Sequence, residues 1–275
     1  MSAPNQPPTA LTIAGSDSGG GAGLQADLKT FLACQVHGMS AITAVTVQNS
    51  LGVSAFYELP PHAVAEQIET VAGDIGIGAA KTGMLASAPI MAAIAETVAR
   101  LTVTPLVVDP VAASQHGNAL LQPDAMDALR SLIIPLATIV TPNLHEVRLL
   151  TGIDVQRRAD MEDAARALHA LGPQWVLVKG GHLPSGDAVD VLYDGSTFTE
   201  FRAARTDTVH THGSGDTLAA SITAALARGL DVPTAVTFGK RFVTGAVRGS
   251  FPLGAGRGPV GHFWRIRDLA DIPAD

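Results

Sequence analysis

Short apolar, β-branched runs alternate with longer helical runs along most of this 275-residue chain, and that alternation constrains its fold more than any other feature. Strand-like segments occupy 10–16 (ALTIAGS), 40–48 (SAITAVTVQ), 79–84 (AAKTGM), 105–110 (PLVVDP), 138–143 (TIVTPN) and 175–181 (WVLVKGG). Helical periodicity marks 22–35, 61–72, 87–100, 123–132, 143–150 and 160–170, and again 215–228 and 232–249. Strands apolar on both faces and separated by helices predict an α/β fold, a central and mostly parallel sheet with helices on both faces. AVDVLYDG and TFTEFRA add a hairpin after the sixth strand, turning at Asp194-Gly195. No linker, repeat or low-complexity block follows residue 10. The expectation is a single domain over 10–275 behind a disordered or extended tail at 1–9.

In such a sheet, ligands bind beyond the carboxyl ends of the strands. The residues to search are Ser16-Asp17, Gln48-Asn49, Lys81-Thr82-Gly83-Met84, Asp109, Thr141-Pro142-Asn143 and Lys179-Gly180-Gly181. The net charge of −7 offers no basic field to nucleic acid or an anionic membrane, and 4% aromatics leave little for base stacking. One cysteine, Cys34 in an apolar helix end, excludes an internal disulfide and reads as a core residue. The polar N-terminus (MSAPNQPPTA) has no basic n-region, and no apolar run reaches a membrane span, so the expected location is the cytoplasm. Only four lysines occur (Lys29, Lys81, Lys179 and Lys240), so a lysine inside a motif is less easily surface filler.

The segment AGSDSGGGAGLQADLKTF places four glycines between a strand and a helix. A dinucleotide site would need a ribose-binding acid about twenty residues on, but no Asp or Glu stands between Lys29 and Glu58. A Walker loop needs Gly-Lys-Ser/Thr; the one Gly-Lys pair, Gly239-Lys240, precedes Arg241. The phosphates of any nucleotide must be held differently. Val209 to Asp216 reads VHTHGSGD and runs directly into an alanine-rich helix. Backbone amides of Gly213, Ser214 and Gly215 can form an anion-binding nest at the positive end of that helix. Asp216, in the first turn, is expected to be ionised and able to take a proton from an attacking hydroxyl. Nest and base together describe phosphoryl transfer to an alcohol; an acid complementing a helix dipole explains Asp216 equally well. In TPNLHE, Asn143 and Glu146 have capping-box spacing, which needs no function. Glu146 and Asp109 are alternatively Mg²⁺ ligands at the sheet edge. Lys179 is either a phosphate contact or one half of a structural ion pair. His210 and His212 lack a third ligand at spacing suited to zinc.

The stretches LTIAGSDSGGGAGLQADLKTF, GMSAITAVTVQNSLGV, KTGML, VVDPV, VTPNLHE, VLVKGGH and THGSGDT together resemble the hydroxymethylpyrimidine and phosphomethylpyrimidine kinases of thiamine biosynthesis, within the ribokinase-like superfamily. The resemblance runs in order from about residue 10 to the GPVGHFW ending at 264. It implies a kinase that uses ATP and Mg²⁺ to phosphorylate 4-amino-5-hydroxymethyl-2-methylpyrimidine and then its monophosphate. By position, Gly15, Asp27, Gln48 and Met84 match the pyrimidine site, Lys179 and Asn143 the ATP side, and Gly213 and Gly215 the anion hole. Homodimers are common in the family. Two departures stand out. Asp216 replaces the usual cysteine and, as in related sugar kinases, implies retained catalysis. Ala112 and Gln115-His116-Gly117 replace a Met and a Lys-Ser/Thr-Gly. A pyridoxal kinase on the same scaffold is the nearest rival, with Gln48-Asn49 favouring the pyrimidine and the Asp216 and Ala112 departures leaning toward pyridoxal. A non-catalytic pyrimidine sensor is a third reading, against which the base, nest and lysine argue.

Overall fold

The computed structural model of the protein describes residues 6–112, 123–181, 183 and 186–266. Strand β1 (Thr9–Ala14) pairs in parallel with β2 (His37–Ile42) on one side and β5 (Ala79–Thr82) on the other. The sheet continues through β6 (Leu106–Val108), β7 (Ile139–Val140) and β8 (Trp175–Lys179), all parallel. The predicted hairpin, β9 (Ala188–Tyr193) and β10 (Phe198–Ala203), then adds antiparallel to β8 and completes the order β10-β9-β8-β7-β6-β5-β1-β2.

Alternate strand residues feed opposite layers. Leu11, Ile13, Ala80, Leu106, Val108, Val176 and Val178 pack against α2 (Pro61–Asp74), α3 (Ala88–Arg100), α5 (Leu144–Thr151) and α6 (Arg158–His169). Ala79, Val107, Ile139 and Leu177 face α7 (Ser214–Ala227) and α8 (Val232–Arg248), while Ala10 packs with Phe31 of α1 (Gly23–Ala33) on the same side. Helices thus cover both faces, as the alternation of runs predicts. The unusual strand positions are polar ones, Thr12 and Lys81, which are fully buried on the α1/α7 side.

Two segments depart from the sequence expectation. The predicted strand 40–48 is two strands. Thr43 is a buried pivot whose N–H donates to the Ala14 carbonyl and whose hydroxyl donates to the Met84 carbonyl. Beyond it the chain leaves the main sheet as β3 (Ala44–Asn49) and returns as β4 (Gly52–Glu58), a two-stranded antiparallel ribbon. The predicted helix 123–132 is α4 (Pro123–Ala128), continued by a π-helical turn at Leu129–Ile133 and a 3₁₀ turn at Ile134–Leu136. Among the described residues no helix is long and apolar enough to cross a membrane.

Candidate active site

The carboxyl ends of β1, β5, β6, β7 and β8 open into one cleft of about 830 Å³, roofed on one side by the β3–β4 ribbon. Eleven of the twelve site residues expected from the sequence line it: Gly15, Gln48, Met84, Asp109, Asn143, Glu146, Lys179, Gly213, Ser214, Gly215 and Asp216. Asp27 does not. It lies fully buried beneath the cleft floor, where a direct contact with a bound pyrimidine is out of reach.

The anion-hole turn is shaped by Gly213, whose φ of 77° lies in the left-handed region. A side chain there would run into the Gly21 carbonyl, so the two glycine-rich segments abut. Helix α7 starts at Ser214, whose amide donates to the Thr211 carbonyl at 3.1 Å, while the next amides of the first turn, Gly215 and Asp216, lack intrahelical acceptors. Lys179 Nζ and Asp109 Oδ2 flank this turn, 3.4 and 3.7 Å from where a Cβ on Gly215 would stand. Lys179 bonds Asp109 Oδ1 at 2.9 Å, and the Thr141 hydroxyl lies 3.2 Å from the same oxygen. The lysine is therefore both ion-paired and placed beside the anion hole, and burial, which opposes its charge, is outweighed by Asp109, Glu146 and Asp216.

Asp216 has 18% of its side chain exposed, toward the cleft. The helix dipole does not leave it fully ionised: burial pushes its carboxyl up to about 7, against the pull of Lys81. At neutral pH the resting carboxyl is thus poised between its two forms, which suits a general base. Lys81 Nζ sits 4.0 Å from Asp216 Oδ1 and bonds both oxygens of Asp27 at 2.9 Å. Asn143 and Glu146 form the full capping box of α5: Asn143 Oδ1 accepts from the Glu146 amide at 3.0 Å, and Glu146 Oε2 accepts from the Asn143 amide at 2.8 Å. Burial pushes Glu146 up to about 8, despite Lys179, which favours its protonated form at neutral pH.

At the other end of the cleft, the Gly15 amide donates to the Met84 carbonyl at 3.0 Å, packing glycine against the Met84 side chain. Gln48 stands on the ribbon. Its backbone is tied to the Ser18 hydroxyl, and its side-chain amide lies 3.4 Å from His212 Nε2. His212 Nε2 is also 2.9 Å from Asp17 Oδ2. Asp17 in turn accepts from the amides of Gly19, Gly21 and Ala22, which folds the first glycine-rich loop around one carboxylate. Beyond Lys179, Asp190 accepts from the Gly180 amide at 3.0 Å and pairs with Lys240 at 2.7 Å.

Sequence reasoning left Lys81, Asp17, His212 and Lys240 without roles. The scarcity of lysine was a usable signal for two of them, and the position of His212 directly before Gly213 for a third. No group of three or more His, Cys, Asp or Glu side chains suited to a metal occurs among the described residues. Ala112 is buried, next in sequence to Val111, which lines the cleft; Gln115, His116 and Gly117 lie outside the described residues.

Comparison with known proteins agrees with this geometry. The profile of the family described as phosphomethylpyrimidine kinase matches residues 17–261. A hydroxymethylpyrimidine/phosphomethylpyrimidine kinase of Mycobacterium leprae is 60% identical over 256 residues, 91% of this chain and 92% of that one. The ADP complex of Bacillus subtilis pyridoxal kinase superposes with a TM-score of 0.88 at 40% identity, covering 95% of this chain and 100% of that one. A phosphomethylpyrimidine kinase of Clostridium difficile gives 0.78 at 43% identity, covering 87% and 99%. The fold is ribokinase-like, the chain is a phosphotransferase, and it belongs to the phosphomethylpyrimidine kinase family.

Proposed function

We propose that this chain, acting as a single kinase domain, transfers the γ-phosphoryl group of ATP to the hydroxymethyl oxygen of 4-amino-5-hydroxymethyl-2-methylpyrimidine, and then to the monophosphate so formed. The product would be the pyrimidine pyrophosphate used in thiamine biosynthesis. The observation that carries the reading is the placement of Asp216 at the start of α7, facing the same cleft as Lys179 and the Gly213–Gly215 turn. Asp216 would take the hydroxyl proton as the oxygen attacks phosphorus. The amides of the turn would stabilise charge on the transferring group, with Lys179 beside them. Gln48, with an amide that both donates and accepts, suits an aminopyrimidine edge, while Gly15 and Met84 would floor and wall the ring.

The donors at the sheet edge fit Mg²⁺, which takes few protein ligands and draws the rest from phosphates and water. Asp109 offers the oxygen on the Gly215 side, and Glu146 would join on losing its proton. The ion, when bound, would neutralise phosphate charge; Asn143 keeps Glu146 in place through the capping box.

We also infer a homodimer in the cytoplasm. Val45, Val47 and Tyr57 share the outer face of the ribbon and are each 46% or more exposed, an apolar stripe suited to a second copy. A pyridoxal kinase is the second reading, favoured by the small Ala112 beside the cleft-lining Val111 and by Asp216.

Phosphorus NMR of products from the hydroxymethylpyrimidine, its monophosphate and pyridoxal, each with ATP and purified protein, tests the proposal. Pyrophosphate from the monophosphate is the expected result. Turnover of pyridoxal alone would overturn it.

A further inference from the structure

Beneath the cleft, two carboxylates share one buried ammonium. Lys81 Nζ holds both Asp27 oxygens at 2.9 Å, and the Thr12 hydroxyl donates to Asp27 Oδ2 at 2.6 Å, so the pair is fixed from below. The same Nζ stands 4.0 Å from Asp216 Oδ1. Lys81 and Asp27 are fully buried; Asp216 is the member of the row that reaches the cleft. A buried ion pair gives little net stability over apolar residues of the same volume, and Ala10, Ala79, Val107, Ile139 and Leu177 on the same side of the sheet are apolar. Stability alone therefore gives little reason for this pair to stand where it does.

We propose that Asp27 and Lys81 are positioning residues for phosphoryl transfer, a buried pair that orients and electrostatically poises the Asp216 carboxylate from beneath. The inference rests on the reading of Asp216 as the base. Its consequence is a pair of opposite effects. Removing the ammonium leaves Asp216 facing Asp27, and proton uptake becomes easier. Removing the Asp27 charge leaves the ammonium to Asp216 alone, and proton uptake becomes harder. The other charged or titratable groups facing Asp216 are Asp109 after β6, Glu146 on α5, Lys179 on β8 and His212 before α7, and all remain in both variants.

The test is the pH dependence of kcat/KM for the pyrimidine, which reports the free enzyme, in the full chain carrying Asp27→Asn, Lys81→Met or Asp216→Asn. With Asp27→Asn the acidic limb should move down by about 1 pH unit, and with Lys81→Met up by about 1 to 2 units. Asp27→Asn keeps the test open if Lys81→Met fails to fold, because Asp216 remains as a counter-ion for the lysine. Lower turnover with an unmoved limb, or a limb displaced upward by Asp27→Asn, would overturn the inference and leave the pair a structural one. Retained turnover in Asp216→Asn would instead sink the base assignment itself.

Discussion

The two ends of the cleft are built differently. The end proposed for the phosphates consists of charges held by the parallel sheet and α7: Asp109 against Lys179, and Asp27 against Lys81 beneath Asp216. The end proposed for the pyrimidine consists of a glycine, a methionine and an amide, and its polar contributor Gln48 stands on a two-stranded ribbon outside the main sheet. Charges buried in a packed sheet cannot shift without leaving a partner unpaired. A thin ribbon can move or change sequence at small cost. Under the proposed function, the chemistry would reside in the rigid part and the choice of substrate in the adaptable part. This division accounts for one scaffold serving proteins named for pyrimidine and for pyridoxal phosphorylation.

Substitutions at each end should separate these roles. The largest effect is expected for Asp216→Asn, which should lower kcat by about 10²- to 10⁴-fold while ATP binding, followed by calorimetry, stays near its parent value. Lys179→Met comes next, with a fall of about 10²-fold shared by every alcohol tested, because the phosphate end does not distinguish them. Gln48→Ala should raise the KM of the pyrimidine about tenfold, the worth of about one buried hydrogen bond, with kcat nearly unchanged. If Gln48→Ala lowered kcat as far as Asp216→Asn does, the division between the ends would fail.

The smallest effect concerns stability. His262 is buried with Nε2 3.0 Å from the Thr217 hydroxyl, and burial pushes its imidazole down to about 4. The folded form is neutral while the unfolded chain protonates near its ordinary value, so unfolded molecules bind more protons as pH falls below about 6.5. Stability should drop by about 1 kcal/mol between about pH 7 and pH 5.5. Denaturant melts should show this slope flatten in His262→Gln.

The rigid end was the more legible of the two. Strands buried on both faces announce a parallel sheet, and polar residues directly after them mark its binding edge, which is how Asp109 and Lys179 are found from local pattern alone, while Asp216 is found from the glycine-rich turn that opens its helix. The ribbon was hidden because Ala41 to Val47 is one unbroken β-prone run. What divides it is Thr43, held by carbonyls of residues 14 and 84, contacts that no local periodicity reports. Lys81 was hidden for a related reason. Its counter-ion, Asp27, is 54 positions away on a helix, and an isolated lysine in a strand carries no sign of what it will meet. Asp27 itself matched a substrate-contacting position, yet it lies one layer too deep to touch the cleft, where its partners are Thr12 and the lysine.

The turn before α7 is closed from both extremities of the fold. Gly21 abuts Gly213, His212 bridges Pro259, and Thr217 meets His262. An anion hole assembled in this way has no partly made version. The residues that close the turn from the C-terminal side, Pro259 and His262, are the last of its partners in the chain. Under the proposed function, truncation ahead of residue 258 should leave the sheet strands in place yet lower phosphoryl transfer, because the turn would lose its Pro259 and His262 supports.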